Sequence, residues 1–583
     1  MSGPKVRLTS LDQDWMMQSG CGTCDLLIRK ALFQIVEKLN FLPVLSEEDL
    51  LPEVTPEEGL WSPHLEESND EGLQPTCFER SEDIGGLWRF QECDTDWKAS
   101  IYKSVTINTS KEMMGYSDFP IPEDYPNYMH NSKVMDYFRM YAEHFDLLRY
   151  IRFQTSVLSV RKCSDFSTTG QWDVITETVG KQNSAIFDVI LVCTGHHIDP
   201  YLPLECFPGV EKFKGKIMHS REYKYPEEFR DKRIVVVGLG NSGVDISLDL
   251  SHTTKQVFLS TRTGAWVVNR VSDNGFPLDV VHFTRFKNLL RHIIPLYLMN
   301  RWGENKLNVR FNHENYGLKP QFRFLSKYPI VGDDLPNAIV SGRVLMKPNV
   351  KEFTDTAVIF EDGSREENID IVLFATGYNF SFPFLEENIL KVNNNRVPLY
   401  KFVFPPRLEK PTLAIIGLLQ PLGAIMPIAE LQTRWATRVF KGLLKLPSLD
   451  DMMADIAKKI KENEKRYIPS QHITLQVQYI DCVDELACLL GVKPNLLFLF
   501  LTDPKLALEV LFGPCTPAQF RLTGPGKWDG ARKSILTQRQ RILKATKTRA
   551  LKTRSDNDTC LVSSLCIKIM GLFVLIAAIF AYL

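Results

Sequence analysis

The 583-residue chain lacks several features that would have settled its class early. It has almost no net charge, with 69 Lys and Arg against 70 Asp and Glu, so there is no general electrostatic case for nucleic acid. No repeat is evident, and no secretory signal is read at its start. The 12 cysteines are scattered without a framework, which points to reduced thiols in a cytosolic setting. Cys21 and Cys24 form a C-x-x-C, but no second pair at zinc spacing follows, so no metal site is expected. A nucleophile–base triad is also missing. Gly524-Pro525-Gly526-Lys527 lacks the G-x-x-x-x-G-K-[S/T] layout and is no phosphate loop. What remains is an ordinary globular composition, 44% hydrophobic and 24% charged. The length allows roughly two to four domains.

One stretch organises the rest: Arg233 to Arg262, RIVVVGLGNSGVDISLDLSHTTKQVFLSTR. A β-branched run, Ile234 to Val237, reads as a buried strand. Gly238, Gly240 and Gly243 follow in G-x-G-x-x-G spacing, enclosing Asn241 and Ser242, and open a helix pattern that leads to a second strand, Gln256 to Ser260. In such a unit the first glycine makes the tight turn, the second admits a pyrophosphate and the third lets helix pack on strand. The phosphates sit on the unpaired N–H groups of the helix N-terminus. An NAD site places an acid after the second strand to hold the ribose. Here Ser260-Thr261-Arg262 stands instead, and an arginine can grip a 2′-phosphate, so NADP is expected.

Cys24 to Leu39 has helical apolar spacing. Residues 46–71 are acidic, contain proline and lack Lys and Arg, the signature of a linker. Thr76-Cys77-Phe78-Glu79 reads as a strand closed by a carboxylate, followed by Ile84-Gly85-Gly86-Leu87-Trp88. Glu79 stands where an adenosine ribose would be held, yet no glycine loop precedes it by about twenty residues. Buried strands are expected at Val189–Val192 and Ile371–Phe374, each running into a Thr-Gly turn, Thr194-Gly195 and Thr376-Gly377. The two frame the glycine-rich unit, which suggests one sheet domain interrupted by a second. His219 is read as a hydrogen-bonded structural histidine. At the far end Ile569 to Leu583 is apolar without a charge, and Lys544, Lys547, Arg549, Lys552 and Arg554 lie upstream. A membrane tail with the body in the cytosol is expected; a buried terminal helix is the plainer alternative.

Together these motifs resemble the flavin-containing monooxygenases of animals. Phe213 to Tyr223 matches the family's F-x-G-x-x-x-H-x-x-x-[Y/W] fingerprint, and CFERSEDIGGLW, YSDFP, GLGNSG, FATGY and GPGKWDGAR are similar to its landmarks. The resemblance runs from about Gly72 to the tail and looks closest to a branch associated with Baeyer–Villiger oxidation of ketones. It implies an α/β fold of two Rossmann-like domains plus a hydrophobic tail. The expected division is a divergent segment 1–71, an FAD domain in two parts (72–205 and 336–445) around an NADP domain (206–335), a helical region 446–560 and a tail 561–583. The implied reaction uses NADPH, FAD and O2. A flavin C4a-hydroperoxide gives one oxygen to a lipophilic small molecule bearing nitrogen or sulfur, or to a ketone, at the endoplasmic reticulum membrane. By resemblance, Asn108 and Asn241 are the catalytic amides. Glu79, Gly85, Gly86, Leu87, Trp88, Asn108 and Thr109 would serve FAD. Gly238, Gly240, Asn241, Ser242, Gly243, Ser260, Thr261 and Arg262 would serve NADP, and Thr376 and Gly377 also line the cofactors.

The chain departs from the family ahead of Pro75, where the strand and glycine loop for the FAD pyrophosphate should stand. Two readings follow: an atypical first segment, or weak FAD binding. A tail-anchored NADP-binding protein without catalysis therefore stays open, as does a homo-oligomer.

Overall fold

The run Arg233–Val237 is buried along all but its first residue and becomes the middle strand of a five-stranded sheet. Its neighbours are Gln256–Ser260 on one side and Ile371–Phe374 on the other, with Val344–Lys347 and Lys216–His219 at the edges. Every pairing is parallel. A parallel sheet buried on both faces calls for continuous apolar runs, and Ile371–Phe374 is such a run. The chain leaves Arg233–Val237 through the helix Asn241–Leu250 to a strand on one side, while the strand on the other side arrives later. That reversal leaves a crevice at the carboxyl ends of Val237 and Phe374, the usual ligand position in such sheets.

The structure is a computed structural model that describes residues 42–45, 74–92, 99–393, 395–468 and 475–549. The Cys21–Cys24 pair, the helix expected over Cys24 to Leu39, the acidic stretch 46–71 and the tail 561–583 lie outside them. Among the described residues no helix is long and apolar enough to cross a membrane.

A second five-stranded sheet has the order Leu413–Ile415, Val189–Val192, Leu42–Leu45, Pro75–Phe78, Ile151–Arg152. The outer pairs are parallel, but Leu42–Leu45 runs antiparallel to both of its neighbours. The central place in this sheet is thus filled by a strand of opposite direction to the glycine-loop strand that the family resemblance implies.

One expectation is corrected here. Val189–Val192 and Ile371–Phe374 do not share a sheet; the latter pairs with Arg233–Val237, and Val344–Lys347 pairs with Gln256–Ser260. The expected division at 335 therefore cuts through the nucleotide sheet, which closes only after Phe374. A hydrophobic run identifies a buried strand but says nothing of its neighbour. Beyond these sheets, the helices Met426–Phe440, Tyr479–Leu490 and Ala531–Lys544 pack around the end of the second sheet.

Candidate functional site: a nucleotide crevice joined to an asparagine

The three glycines of the central unit carry three different constraints. Gly238 has φ +118°, and a Cβ there would meet Ala375 O at 2.5 Å. A Cβ on Gly243 would meet Gly238 O at 2.0 Å, so helix and turn touch through bare backbone. Gly240 has open space around its missing Cβ and is exposed, leaving room for a ligand to approach the backbone. The helix Asn241–Leu250 begins there with no side-chain cap, so its first N–H groups are offered to the crevice. Asn241 and Ser242 are exposed at that end, and Asn241 Oδ1 accepts from Val331 N at 3.0 Å. The flank fits a dinucleotide pyrophosphate.

At the end of Gln256–Ser260 the three residues read for NADP behave differently. Ser260 is buried and its hydroxyl donates to Pro348 O at 2.7 Å. Thr261 Oγ1 accepts from Gly264 N at 3.1 Å and shapes the turn. Arg262 is exposed and has no carboxylate partner among the described residues. A second cation stands nearby: burial, and then the neighbouring Arg262 guanidinium, push the Lys327 ammonium down. Two cations without an acid suit a 2′-phosphate. Lys327 lies 65 positions after Arg262 in the chain, and no local motif marks it.

Asn108 lies in a loop pinned at both ends. Ile107 N donates to Met129 O at 2.9 Å, and Ser110 N donates to Asp279 Oδ2 at 2.7 Å. Burial pushes the Asp279 carboxyl up to about 6, while the N–H groups of Ser110 and Val280 oppose that rise. Asn108 Oδ1 accepts from Arg270 Nη2 at 2.7 Å; Thr109 is half-buried beside it. Tyr102 ties the loop before Asn108 to the nucleotide helix, its hydroxyl donating to Asp245 Oδ2 at 2.8 Å. Arg270, Asp279 and Tyr102 were invisible in the sequence because their partners lie more than 140 positions away.

Glu79 ends Pro75–Phe78, is buried, and accepts from Ser81 N through Oε1 at 2.6 Å. Gly85, at φ +110°, opens the turn Gly86–Trp88, where Leu87 and Trp88 are half-buried. Thr376 Oγ1 donates to Tyr201 O, and Gly377 O accepts from His219 Nε2 at 3.0 Å. His219 Nδ1 accepts from Arg221 N at 3.2 Å, and burial lowers the ring to about 4. It is a neutral structural ring. Tyr223, at the end of the same stretch, donates to Asp249 Oδ2 at 2.8 Å and so anchors the nucleotide helix. A cavity of about 610 Å³ among the C-terminal helices, lined by Lys459, Arg466 and Glu485, contains none of these groups.

Residues 59–583 match the flavin-binding monooxygenase-like family. The chain belongs to that family. Flavin-containing monooxygenase 5 of Rattus norvegicus is 61% identical over 514 residues, covering 88% of this chain and 96% of the relative. The Homo sapiens protein of that name is 59% identical over 512 residues, 88% and 95% of the two chains. Among solved structures, S-allyl-L-cysteine S-oxygenase from Allium sativum superposes with a TM-score of 0.55 at 25% identity, covering 80% of this chain and 92% of its own. Cyclohexanone monooxygenase shares the fold, with a TM-score of 0.53 at 16% identity over 73% of this chain and 93% of that one. Family membership makes the chain a flavoprotein monooxygenase, and 61% identity over 96% of the relative's length favours the enzyme over the non-catalytic alternative.

The flanks of the flavin site fit FAD: a buried carboxylate closes its strand at Glu79, and the Gly85 turn and Asn108 loop follow. A glycine loop for the FAD pyrophosphate is not among the described residues, where Leu42–Leu45 holds the centre of the sheet.

Proposed function

We propose that the chain transfers one atom of O2 to a soft nitrogen or sulfur nucleophile, or inserts it beside a ketone carbonyl, while NADPH supplies two electrons and the second oxygen leaves as water. The observation that carries this reading is the pair of links that join the Asn108 loop to the nucleotide unit: Arg270 Nη2 donating to Asn108 Oδ1, and Tyr102 donating to Asp245 of the uncapped helix. Bound FAD supplies the hydride acceptor and the place where oxygen is activated. The chain's own part is to bind, orient and exclude water. The N–H groups after Gly240 take the NADP pyrophosphate, Arg262 and Lys327 take its 2′-phosphate, and Asn241 stands at the mouth. Asn108 offers amide hydrogens to the reacting centre without adding charge. Glu79 receives the FAD ribose, with the Gly85–Trp88 turn beside it.

Purified protein is expected to be yellow and to consume NADPH only in the presence of O2. Colourless folded protein that ignores added FAD overturns the reading. A thioether assayed beside a linear ketone separates heteroatom oxygenation from Baeyer–Villiger insertion.

The membrane assignment is part of the same proposal. The apolar run Ile569 to Leu583 follows a basic stretch, and Tyr297, Trp302, Leu497 and Leu501 are exposed by 64%, 62%, 77% and 84%. The first two lie on the helix Leu296–Arg310 and the last two on Leu496–Thr502, side chains that a lipid surface would cover. Full-length protein that stays in the supernatant with microsomal vesicles argues against endoplasmic reticulum anchoring.

A further inference from the structure

Asn108 and Asn241 are both oriented by one small parallel ribbon. Val267–Val268 pairs with Ile330–Val331, with Val268 opposite Val331. Two residues past that register, Arg270 meets Asp333: its backbone N donates to Asp333 Oδ1 at 2.8 Å and Nη1 to Oδ2 at 2.7 Å. The other end of the same guanidinium, Nη2, donates to Asn108 Oδ1 at 2.7 Å. A guanidinium accepts nothing, so it fixes which end of the Asn108 amide faces it. The Asn108 NH2 is thereby turned elsewhere, with no acceptor among the described residues. The Arg270 backbone is anchored as well, its carbonyl accepting from the Tyr128 hydroxyl at 2.6 Å. From the second strand, Val331 N donates to Asn241 Oδ1 at 3.0 Å and fixes that amide by the same logic. Buried His313 supports the first strand, Nε2 accepting from Val267 N at 3.1 Å.

We propose that Arg270 and Asp333 are positioning residues that set the Asn108 amide, and that their ribbon couples it to Asn241 at the nucleotide helix. The inference rests on the reading of Asn108 and Asn241 given above. Neither Arg270 nor Asp333 touches the reacting atoms; they act through Asn108. Lysine at 270 keeps the charge and the backbone contact to Asp333, but its ammonium is a compact point donor without the planar fork that spans Asp333 Oδ2 and Asn108 Oδ1.

The test compares wild type, N108A, R270K, D333N and N108A/R270K as FAD-loaded full-length enzyme. Four quantities are read: product formed per NADPH consumed, melting temperature, NADP+ affinity by titration, and the change NADP+ makes in the visible circular dichroism of the flavin. R270K is expected to lower kcat for oxygenation about tenfold and shift reducing equivalents to hydrogen peroxide, leaving the organic-substrate KM and NADP+ affinity within about twofold. The NADP+-induced dichroism change should shrink. The double variant should be no worse than N108A, because residues acting as one unit are not additive. D333N should behave as R270K does and serves in its place if R270K melts early. Multiplied losses in the double variant, a wild-type R270K, or a tenfold loss of NADP+ affinity in R270K overturns the inference. An N108A enzyme with unchanged coupling overturns the reading of Asn108 itself and the inference with it; an effect in N108A alone overturns only the inference.

Discussion

At the scale of single residues, the glycines of the central unit separate folding from binding. Gly240→Ala adds a methyl group into open space at φ −108°, where any residue is tolerated. It is expected to melt like wild type yet bind NADPH at least tenfold more weakly, since the methyl group occupies the phosphate approach. Gly243→Ala drives its Cβ to 2.0 Å from Gly238 O and should destabilise the protein by about 1–3 kcal/mol as well. Thermal melts beside NADPH titrations distinguish the two. Arg262→Ala and Lys327→Ala should each weaken NADPH by about ten- to a hundredfold, the worth of a charge-assisted contact, and leave NADH nearly unchanged. Equal losses for both nucleotides would refute the 2′-phosphate assignment. Arg262 was legible in the sequence because it closes a strand in a recognisable unit. Lys327 was not, because only the fold brings it near.

At the scale of elements, distant landmarks of the sequence meet in a buried charge network. Glu430 on the helix Met426–Phe440 accepts from Ser117 N at 3.0 Å and pairs with Arg521 at 3.1 Å. Arg521 also pairs with Asp118 at 3.1 Å and donates to Gly526 O at 2.9 Å. Ser117 and Asp118 of the YSDFP stretch and the Gly526 carbonyl of the GPGKWDGAR stretch thus meet at Arg521. Removing one partner leaves a buried charge uncompensated, so Arg521→Ala should cost about 3–5 kcal/mol in chemical denaturation. Replacing Lys181, exposed at the start of the strand Lys181–Phe187, gives the control. The ribbon of Arg270 and Asp333 belongs to this scale too: two-residue strands leave no periodicity, and their pairing depends on chain folded between them.

For the whole molecule, buried titratable groups set the response to pH. Burial lowers His219 and His313 to about 4 from an ordinary 6.5, so the unfolded chain binds more protons between those values. Their contribution is complete above 6.5 and is lost as pH falls toward 4. Asp279 is shifted the other way, up to about 6 from 3.8, and its contribution is lost as pH rises through 6. The expected outcome is a melting temperature that drops between pH 6.5 and 4, with a shallower drop in His313→Gln. Asp279→Asn should gain on wild type as pH rises from 4 to 7. Melts across that range check both signs.

The sequence by itself determined the nucleotide unit, its NADP preference as an expectation, and the family. These rest on local spacing: successive glycines two and three residues apart need no knowledge of the rest of the chain. It also exposed the missing glycine loop ahead of Pro75. Only the tertiary structure decided that Ile371–Phe374 joins the nucleotide sheet, that Leu42–Leu45 runs antiparallel at the centre of the other, and that Arg270 links Asn108 to the nucleotide domain. The physical reason is common to all three. Burial and strand propensity are local properties that a run of side chains carries with it, whereas the identity of a neighbour is a property of the closed chain.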